Sequence, residues 1–552
     1  MAKATGELEE AFWDKVRRLK TWSGYPLKEV YLPEDIIGPD YKKDLGLPGE
    51  YPFTRGSRAR GYQGRLWSIR ECTGLEAPSL QNQRFRFQIE QGVNAFQLGP
   101  VDIPTFMNLD SDHPMAEAEV GRQGFPFDSL VDIEEAMEGL PLDKISMGFI
   151  CSWEAIVAAY VALAEKRGYE LSKLQGAPTK DPFAEMISHQ PQGWKTAEMV
   201  LREAGDLIEF CCQRLPLWPA VHSVPNFWRE WSIGAALEMA IGLLVAKEYV
   251  KAGLTKGLSI NDVAPKIVIS PSGSIDIFEE AAKFRAGRRL WARIVKEEFG
   301  ATDPRACRVA FGCLTSGARC TYAQPLNNII RLSYMALGAV LGGVQGLGVS
   351  GYDEALGLPT EQANMISVRI QQILAHESGA AAVADPLGGS YYVEWLTNLL
   401  EEEIKKEMKR IESRGGIAQA IEKRWLETEL FRASDKYQQE VESGERTLVG
   451  VNAYTVPEEE ETHPPVYAVS EEEIRNKIAK LRELKQNRDH EKLNQTMRRL
   501  YQAFKDKEQN MFPALVEAMK AYATHGETFG LFRMAYGFSY DPFGMIECPF
   551  AL

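Results

Sequence analysis

Short apolar runs alternate with longer amphipathic segments from about residue 46 to residue 400. The runs predicted to form buried strands include NAFQLG (94–99), KISMGFI (144–150) and KIVIS (266–270). The segments predicted to form helices, each with basic residues and then Gly at its end, include 153–168, 233–253 and 277–300. This alternation implies parallel strands joined by crossover helices. We therefore expect a (β/α)8 barrel with insertions or a doubly wound sheet, and we favour the barrel.

The pattern divides the chain into three predicted regions. Residues 1–45 form a polar N-terminal extension, 46–400 form the barrel, and 401–552 form a helical linker and a packing or subunit-contact region. In the last region, an acidic connector with prolines at 455–467 interrupts a strongly helical pattern that resumes at 470–510. The resumed helix carries an apolar seam expected to pack on the protein's own body, formed by Ile474, Ile478, Leu481 and Leu484. The aromatic-rich end of the chain is expected to pack on the barrel or on another subunit.

Composition excludes several classes of protein. With 45 % hydrophobic and 10 % aromatic residues among 552, the chain is not disordered. A net charge of −14 without a basic run argues against nucleic acid as the main partner. Because no apolar stretch reaches about 18 residues and the first residues lack the apolar core of a signal peptide, we expect a cytoplasmic protein that does not enter a membrane. The eight cysteines form no CxxC pair and the seven histidines no HExxH pair, so no metal site is predicted.

Five arginines lie within the segment RGSRARGYQGRLWSIR: Arg55, Arg58, Arg60, Arg65 and Arg70. Guanidinium groups match phosphate oxygens, and the intervening glycines let the backbone approach a ligand. The alternative is a solvated loop, but aromatic residues within and just before the segment are expected to anchor it. We therefore predict a phosphate site in an otherwise acidic protein.

Three other features are ambiguous on their own. GLGVSG (346–351) matches G-x-G-x-x-G, but Pro359 follows too soon for the helix of a dinucleotide site, so we favour a strand-to-helix loop. The segment 376–398 is rich in Gly, Asp and Pro and predicts a structured turn leading into a strand. His189 lies in a polar loop and is the histidine of interest, although a lone histidine is more often a surface residue or one satisfied within the core.

Six further segments carry a family resemblance: DLGLPGEYPFTRG (44–56), LDSDHPMAEAEVGRQG (109–124), FRAGRRLWARI (284–294), GYDEALGLPTEQA (351–363), ESGAAAVADPLGGSYYVEWLT (377–397) and VGVNAY (449–454). In this order they resemble the large subunit of the coenzyme B12-dependent acyl-CoA mutases, the methylmalonyl-CoA mutase family. AMKAYATHGE (518–527) is similar to the tail of that family. The resemblance covers the chain from about residue 40 onward.

The resemblance implies a (β/α)8 barrel whose axis holds the pantetheine arm of an acyl-CoA, with adenosylcobalamin on the carboxyl-terminal face. The family mechanism begins with homolysis of the cobalt–carbon bond and ends in a 1,2-rearrangement of the carbon skeleton. The family motif D-x-H-x-x-G, whose histidine binds cobalt, is absent from this sequence. We therefore expect a separate small B12-binding subunit to supply the cobalt ligand, a hetero-tetramer as the assembly, and a G-protein chaperone of the mutase as a candidate partner.

The resemblance also implies roles for individual residues. The residues expected to bind CoA and substrate are Arg58, Arg60, Arg65, Ser68, Arg70, Thr179 and Lys266. Those expected at the reacting acyl group are Cys72, His189, Phe227 and Gln345. Those expected to face the cobalamin and adenosyl groups are Val101, Gln123, Gly317, Glu354 and Gly357.

Departures from the family pattern predict an unusual substrate. Cys72 stands where the family has a tyrosine that wedges the substrate, and Phe227 stands where it has a histidine. Gly312 and Gly348 also replace histidines, so we expect a larger and drier pocket. His189 stands where methylmalonyl-CoA mutase has the arginine that grips a free carboxylate, and histidine is a poor substitute for that clamp. We expect a bulkier acyl group, aromatic or branched, rather than methylmalonyl.

Two alternatives remain at this level. The loss of the active-site histidines is compatible with a non-catalytic scaffold, a pseudo-enzyme paralogue of the mutase large subunit. The changed residues along the CoA path are compatible with a ligand that is not a CoA thioester.

Overall fold

The computed structural model describes residues 20–28, 30–36, 44–99, 101–150, 153–188 and 195–552. His189 lies outside the described residues. In this part of the chain, no helix is both long and apolar enough to cross a membrane. Nor do three or more His, Cys, Asp or Glu side chains of the described ranges come together as a metal site.

The centre of the fold is a parallel sheet that curls into a nearly closed barrel. Its strands are β1 (Ser68–Thr73), β2 (Ala95–Leu98), β3 (Ser146–Ile150), β4 (Gln175–Thr179), β5 (Val221–Ser223), β6 (Ile267–Ile269), β7 (Ser272–Gly273), β8 (Ala310–Thr315) and β9 (Gly346–Gly348). They pair in the order β4-β3-β2-β1-β9-β8-β6-β5, and the short β7 pairs with the end of β8. The N–H of His222 in β5 donates to the carbonyl of Lys180, which follows β4, at 3.0 Å, so the two ends of the sheet meet. Eight strands thus form the barrel that the sequence predicts.

Helices surround the strands and form the C-terminal region. The α-helices are Gly61–Gly64, Pro78–Glu90, Ile103–Phe106, Leu130–Ala136, Ala155–Lys166, Pro182–Ser188, Ala197–Arg214, Asn226–Arg229, Ala235–Thr255, Ile260–Val263, Ile277–Arg293, Asn327–Leu341, Glu361–His376, Tyr391–Glu412, Gly416–Glu422, Trp425–Glu442, Glu471–Asn487, His490–Lys505, Phe512–Lys520 and His525–Ala535. A π-helical turn, Ile294–Glu298, extends one of them.

The three predicted strands and three predicted helices are all confirmed within a few residues of their expected bounds. The prediction that 376–398 leads into a strand is wrong. Its turns are followed by the helix Tyr391–Glu412, which starts where the Ser390 hydroxyl accepts a hydrogen bond from the N–H of Val393. This helix also runs through the predicted domain boundary at residue 400, because it packs on the barrel helix Ile277–Arg293.

One helix beside the strands is apolar on nearly every side. Ala155–Lys166 is buried from Ala155 through Ala164, since it lies between the barrel and the C-terminal helix Phe512–Lys520. Its small alanine and valine side chains allow both neighbours to approach closely. The strands and these inner helices share one continuous hydrophobic core.

The C-terminal region packs on the barrel as predicted. Ile474 and Ile478 of the helix Glu471–Asn487 pack against Val120, and Leu481 of the same helix is also buried. The predicted helix 470–510 is two helices, separated at 488–489. The aromatic residues near the end of the chain gather around a tryptophan of the barrel body: Trp153 contacts Phe504, Phe529 and Phe532. The aromatic tail therefore covers the barrel.

Candidate active site

Glycines at inward-facing positions shape the lumen of the barrel. Barrel interiors are usually filled by branched side chains. Here a Cβ on Gly148 of β3 would lie 2.7 Å from Nη1 of Arg70, so this glycine makes room for a guanidinium inside the barrel. A Cβ on Gly346 would also approach the Arg70 side chain, at 3.9 Å. Arg70, an arginine predicted to bind the ligand, thus extends from β1 into the lumen.

The two glycines that replace family histidines have close neighbours. A Cβ on Gly312 would lie 2.7 Å from the Ser270 hydroxyl, and one on Gly348 would lie 2.9 Å from Cδ1 of Leu314. Ser270 and Leu314 therefore occupy space next to these positions. The wall of the lumen is apolar at Leu314 and polar at Ser270.

Two polar groups in the lumen have no hydrogen-bond partner among the described residues. They are Nη1 of Arg70 and Nε2 of His222, which projects from β5. Nδ1 of His222 lies 3.3 Å from the Ser270 hydroxyl. Burial, and then the nearby Arg70 charge, lower the pKa of His222 to about 3, so its imidazole is neutral. Burial also lowers the pKa of Arg70 to about 10, which still leaves the guanidinium charged at neutral pH.

Cys72 and Thr179 lie toward the carboxyl ends of their strands, in the same part of the lumen. Cys72 pairs in register with Gln97 of β2, whose amide donates to the Thr179 hydroxyl at 2.8 Å. Burial raises the pKa of the Cys72 thiol to about 12, and the carboxylates of Glu354 and Glu71 add to the shift. Cys72 is therefore a neutral thiol, suited to lining a pocket and not to nucleophilic attack.

The loops that follow the strands carry the residues expected to face the cofactor. Val101 and Gln123 follow β2, Gly317 follows β8, and Glu354 and Gly357 follow β9. Because carboxyl ends of parallel barrel strands meet at one face, all five lie on the carboxyl-terminal face. Gln123, Glu354 and Gly357 are exposed there, and Val101 is half-buried beside Gly124.

Glu354 has unusual surroundings for an exposed carboxylate. Its Oε1 would lie 3.0 Å from a Cβ on Gly317, so only glycine leaves this approach open. Desolvation by the surrounding protein, followed by the charges of Glu230 and Asp353, raises the pKa of Glu354 to about 7. Among the described residues its side chain has no hydrogen-bond donor. This carboxylate is therefore suited to receive the hydroxyl groups of a bound ligand, as the resemblance implies for the adenosyl ribose.

Phe227 belongs to the short helix Asn226–Arg229, directly after β5, and is half-buried against the core. Three residues later, Glu230 accepts hydrogen bonds from the Ser316 hydroxyl at 3.0 Å and the Ala318 N–H at 2.7 Å. These bonds tie the loop after β5 to the loop after β8. They hold Phe227 and Gly317 on the same face of the barrel.

The arginine segment lies at the opposite, amino-terminal face. A narrow cleft opens there between residues 54–62, 340–345 and 383–386. Nη1 of Arg58 donates to the carbonyl of Arg65 at 2.9 Å, and burial followed by the Arg65 charge lowers the pKa of Arg58. Arg60 and Arg65 are exposed, and no carboxylate of the described residues pairs with either. Their positive charge is available to an anion.

Other residues of the predicted set have structural partners. Ser68 lies at the start of β1, where its N–H donates to the Gln345 carbonyl at 2.9 Å. The side-chain amide of Gln345 donates to the Gly343 carbonyl at 2.7 Å and accepts from the Phe311 N–H at 2.9 Å. Gln345 thus lies at the amino-terminal face, at the other end of the barrel from Cys72.

Lys266 is buried at the start of β6. Its ammonium donates to the carbonyls of Leu215, Pro216 and Trp218 at 3.0, 2.8 and 3.2 Å, which uses all three of its protons. Lys266 holds the turn before β5 in place. Its expected contact with CoA stays a prediction.

Sequence reasoning missed two lumen residues, Gln97 and His222. The only local signal for either is a polar side chain inside an apolar run, NAFQLG for Gln97 and AVHSV for His222. Such a residue is equally compatible with a satisfied core position.

Comparison with known proteins agrees with this geometry. Residues 20–538 match the family model described as methylmalonyl-CoA mutase. The chain is 36 % identical to the 2-hydroxyisobutanoyl-CoA mutase large subunit of Aquincola tertiaricarbonis over 519 residues, 93 % of this chain and 91 % of that protein. It is 32 % and 31 % identical to the methylmalonyl-CoA mutases of Rhizobium meliloti and Escherichia coli, each over 94 % of this chain and 72 % of the relative. The chain belongs to the methylmalonyl-CoA mutase family, whose enzymes are isomerases that rearrange the carbon skeleton of acyl-CoA substrates.

Proposed function

We propose that this protein is the large, substrate-binding subunit of an adenosylcobalamin-dependent mutase for an acyl-CoA without a free carboxylate. The single observation that carries the proposal is Nη1 of Arg70, buried inside the barrel without a hydrogen-bond partner among the described residues. It lies between an arginine-bearing cleft at one face and the carboxylate of Glu354 at the other. This arrangement suits a long ligand with an anionic end at the first face and a reacting end at the second.

The proposed acyl group is branched or aromatic. Near the carboxyl ends of the strands, Cys72 is a neutral thiol, and Leu314 and Phe227 add apolar surface. Such surroundings disfavour a free carboxylate on the acyl group, because an ion without a partner is costly to bury. A relative named 2-hydroxyisobutanoyl-CoA mutase acts, by its name, on a branched acyl group, which supports this substrate class.

Gly317, Glu354 and Gly357 would hold the adenosyl side of the cofactor, and Val101 and Gln123 would approach the cobalamin. When bound there, adenosylcobalamin supplies the radical chemistry of the rearrangement. The chain's own residues bind the acyl-CoA, orient its acyl group near Cys72 and exclude water from the lumen.

The proposed partner is a small B12-binding subunit that supplies the cobalt ligand and docks on the carboxyl-terminal face. One relative is named a large subunit, which supports a two-subunit enzyme. We propose a cytoplasmic hetero-tetramer, with a G-protein chaperone of the mutase as a further partner.

The test is a mutase assay of the large subunit combined with a small B12-binding subunit and adenosylcobalamin. Isobutanoyl-CoA, 2-hydroxyisobutanoyl-CoA, a bulkier branched thioester and methylmalonyl-CoA are compared, with chromatography of the products and electron paramagnetic resonance of the mixtures. We expect turnover and a cob(II)alamin–radical signal with a branched thioester. Comparable turnover of methylmalonyl-CoA would refute the substrate class. No turnover and no signal with any thioester, despite B12 binding, would refute the enzyme and leave a scaffold.

A further inference from the structure

His222 is an unexplained residue of the barrel lumen. Its side chain is 6 % exposed, and Nε2 has no hydrogen-bond partner in the part of the chain that the structure describes. Nη1 of Arg70, in the same lumen, is likewise buried, and no described residue pairs with it. A buried polar group that loses water without gaining a partner costs about 1–3 kcal/mol. Two such groups within one lumen indicate that a ligand completes their hydrogen bonds.

Arg70 and His222 lie part of the way along the barrel axis, between its two faces. Arg70 and Cys72 are both on the lumen side of β1 and two residues apart, which separates them by about 7 Å along the strand. Arg70 lies on the amino-terminal side of Cys72, toward the arginine cleft. His222 is the middle residue of β5 and lies near enough to Arg70 for its charge to act on the imidazole. If the acyl group of a ligand lies near Cys72, the adjoining part of that ligand lies beside Arg70 and His222.

The chemistry of the pair matches a hydrogen-bond acceptor such as a carbonyl oxygen. The imidazole is uncharged, and when the Ser270 hydroxyl donates to Nδ1, Nε2 carries a proton. Nε2–H and the Arg70 guanidinium then present two donors and one positive charge. The oxygen of a thioester or amide carbonyl can accept two hydrogen bonds through its two lone pairs, which matches these two donors.

We propose that His222, together with Arg70, binds a carbonyl oxygen of the acyl-CoA, in the thioester or in the first amide of the pantetheine arm. This contact sets the depth at which the acyl group lies beside Cys72. The inference rests on the proposed function and adds His222 to the residues that determine substrate position.

The experiment measures binding to the complex of large and small subunits by isothermal titration calorimetry. Two ligands are compared: isobutanoyl-CoA, and S-isobutyl-CoA, a thioether that lacks the thioester carbonyl but keeps both amides. His222→Phe preserves an aromatic ring and removes both nitrogens. We expect it to weaken isobutanoyl-CoA binding about 10-fold, the effect of one lost hydrogen bond together with an unpaired carbonyl. His222→Gln, whose amide nitrogen reaches the Nε2 position, should restore most of the affinity.

The two ligands distinguish the two carbonyls. If His222→Phe weakens only isobutanoyl-CoA, the contact is with the thioester; if it weakens both ligands equally, the contact is with the amide. Should His222→Phe fail to fold, His222→Asn takes its place, because its shorter amide reaches toward Ser270 but not to the Nε2 position.

The matched control is His525→Gln. His525 is another buried neutral imidazole, with its pKa lowered to about 4 by burial, but it begins the C-terminal helix His525–Ala535, where its ring contacts Phe127. This variant should lower thermal stability without changing ligand affinity. If His222→Phe binds both ligands as tightly as the wild type does, the inference is overturned and the proposed function is unaffected. A wild-type complex that binds neither ligand would overturn the proposed function and the inference with it.

Discussion

Asp385 and Arg285 form a buried ion pair at the amino-terminal face of the barrel. The other carboxylate oxygen of Asp385 accepts a hydrogen bond from Nε of Arg55 at 2.9 Å. One carboxylate thus joins the barrel helix Ile277–Arg293, the loop 377–390 and the arginine segment. Arg55 is therefore a structural arginine of that segment, whereas Arg60 and Arg65 point their charge to solvent.

The first prediction concerns this carboxylate. Asp385→Asn should lower the free energy of unfolding by about 3 kcal/mol, because the buried Arg285 guanidinium loses one of its two carboxylates and keeps only Glu394. Urea denaturation of the purified chain measures the change. Asp303→Asn, which removes an exposed carboxylate paired with Arg305, is the control and should leave the transition unchanged. Equal effects of the two variants would contradict a special role for Asp385.

The second prediction concerns the attachment of the C-terminal region. Lys477 is buried against Asp128 and 2.9 Å from Asp132, and these carboxylates raise its pKa. Lys477→Met should destabilise the fold by about 3–5 kcal/mol, since it leaves two carboxylates buried without their cation. Lys480→Met, three residues along the same helix and on its exposed side, should change stability little. Limited proteolysis should cleave the Lys477→Met variant faster in the C-terminal region, and an unchanged pattern would argue against this anchor.

The third prediction concerns pH. The pKa of Glu354 is raised from 4.5 to about 7 in the folded protein, so folding favours the protonated carboxyl. The contribution of this carboxyl to the free energy of unfolding is fully present below pH 4.5 and is lost as pH rises through about 7. Glu354→Gln has no carboxyl to ionise at this position. The free energy of unfolding of the variant should therefore fall less than that of the wild type between pH 5 and pH 8. Glu472→Gln, at an exposed position, is the control, and identical slopes for Glu354→Gln and wild type would contradict the prediction.

The fourth prediction separates two roles for Lys266. Because its ammonium binds three backbone carbonyls, Lys266→Met should lower the free energy of unfolding by about 1–3 kcal/mol. Affinity for acyl-CoA, measured by calorimetry, should stay the same. Lys173→Met, which removes an exposed lysine, serves as the control for stability. Weaker acyl-CoA binding at unchanged stability would instead support the CoA contact expected from the sequence.

The fifth prediction concerns the exposed arginines. Arg65→Ala should weaken acyl-CoA binding about 3- to 10-fold, with a larger effect at low salt, because phosphate–guanidinium attraction is screened by ions. Binding of the corresponding acyl-pantetheine, which lacks the nucleotide phosphates, should not change. Arg432→Ala, an exposed arginine of another surface, is the control. If the variant weakens both ligands equally, Arg65 does not contact phosphate.

Residue types alone predicted the arginine segment as a site, whereas Cys72, Thr179, Gly317 and Glu354 were expected only from the family resemblance. The structure places all of them in or around the barrel, with Gly317 and Glu354 in loops of the same face, and their roles stay predictions. The segment 376–398 could not be anticipated, because its aromatic YYV run favours a strand locally. Packing against the helix Ile277–Arg293 and the cap at Ser390 favour a helix instead.

By itself, the sequence determined the class of fold, the order of strands and helices, and the family. These follow from local periodicity and from short motifs, each readable within a few consecutive residues. Only the tertiary structure decided which polar groups are satisfied. Arg55 finds Asp385 at a separation of 330 residues, and Lys266 finds three carbonyls about 50 residues earlier. Nη1 of Arg70 and Nε2 of His222 find no partner within the described part of the chain. Hydrogen bonding and desolvation depend on neighbours that are distant along the chain, so the sequence pattern does not contain them.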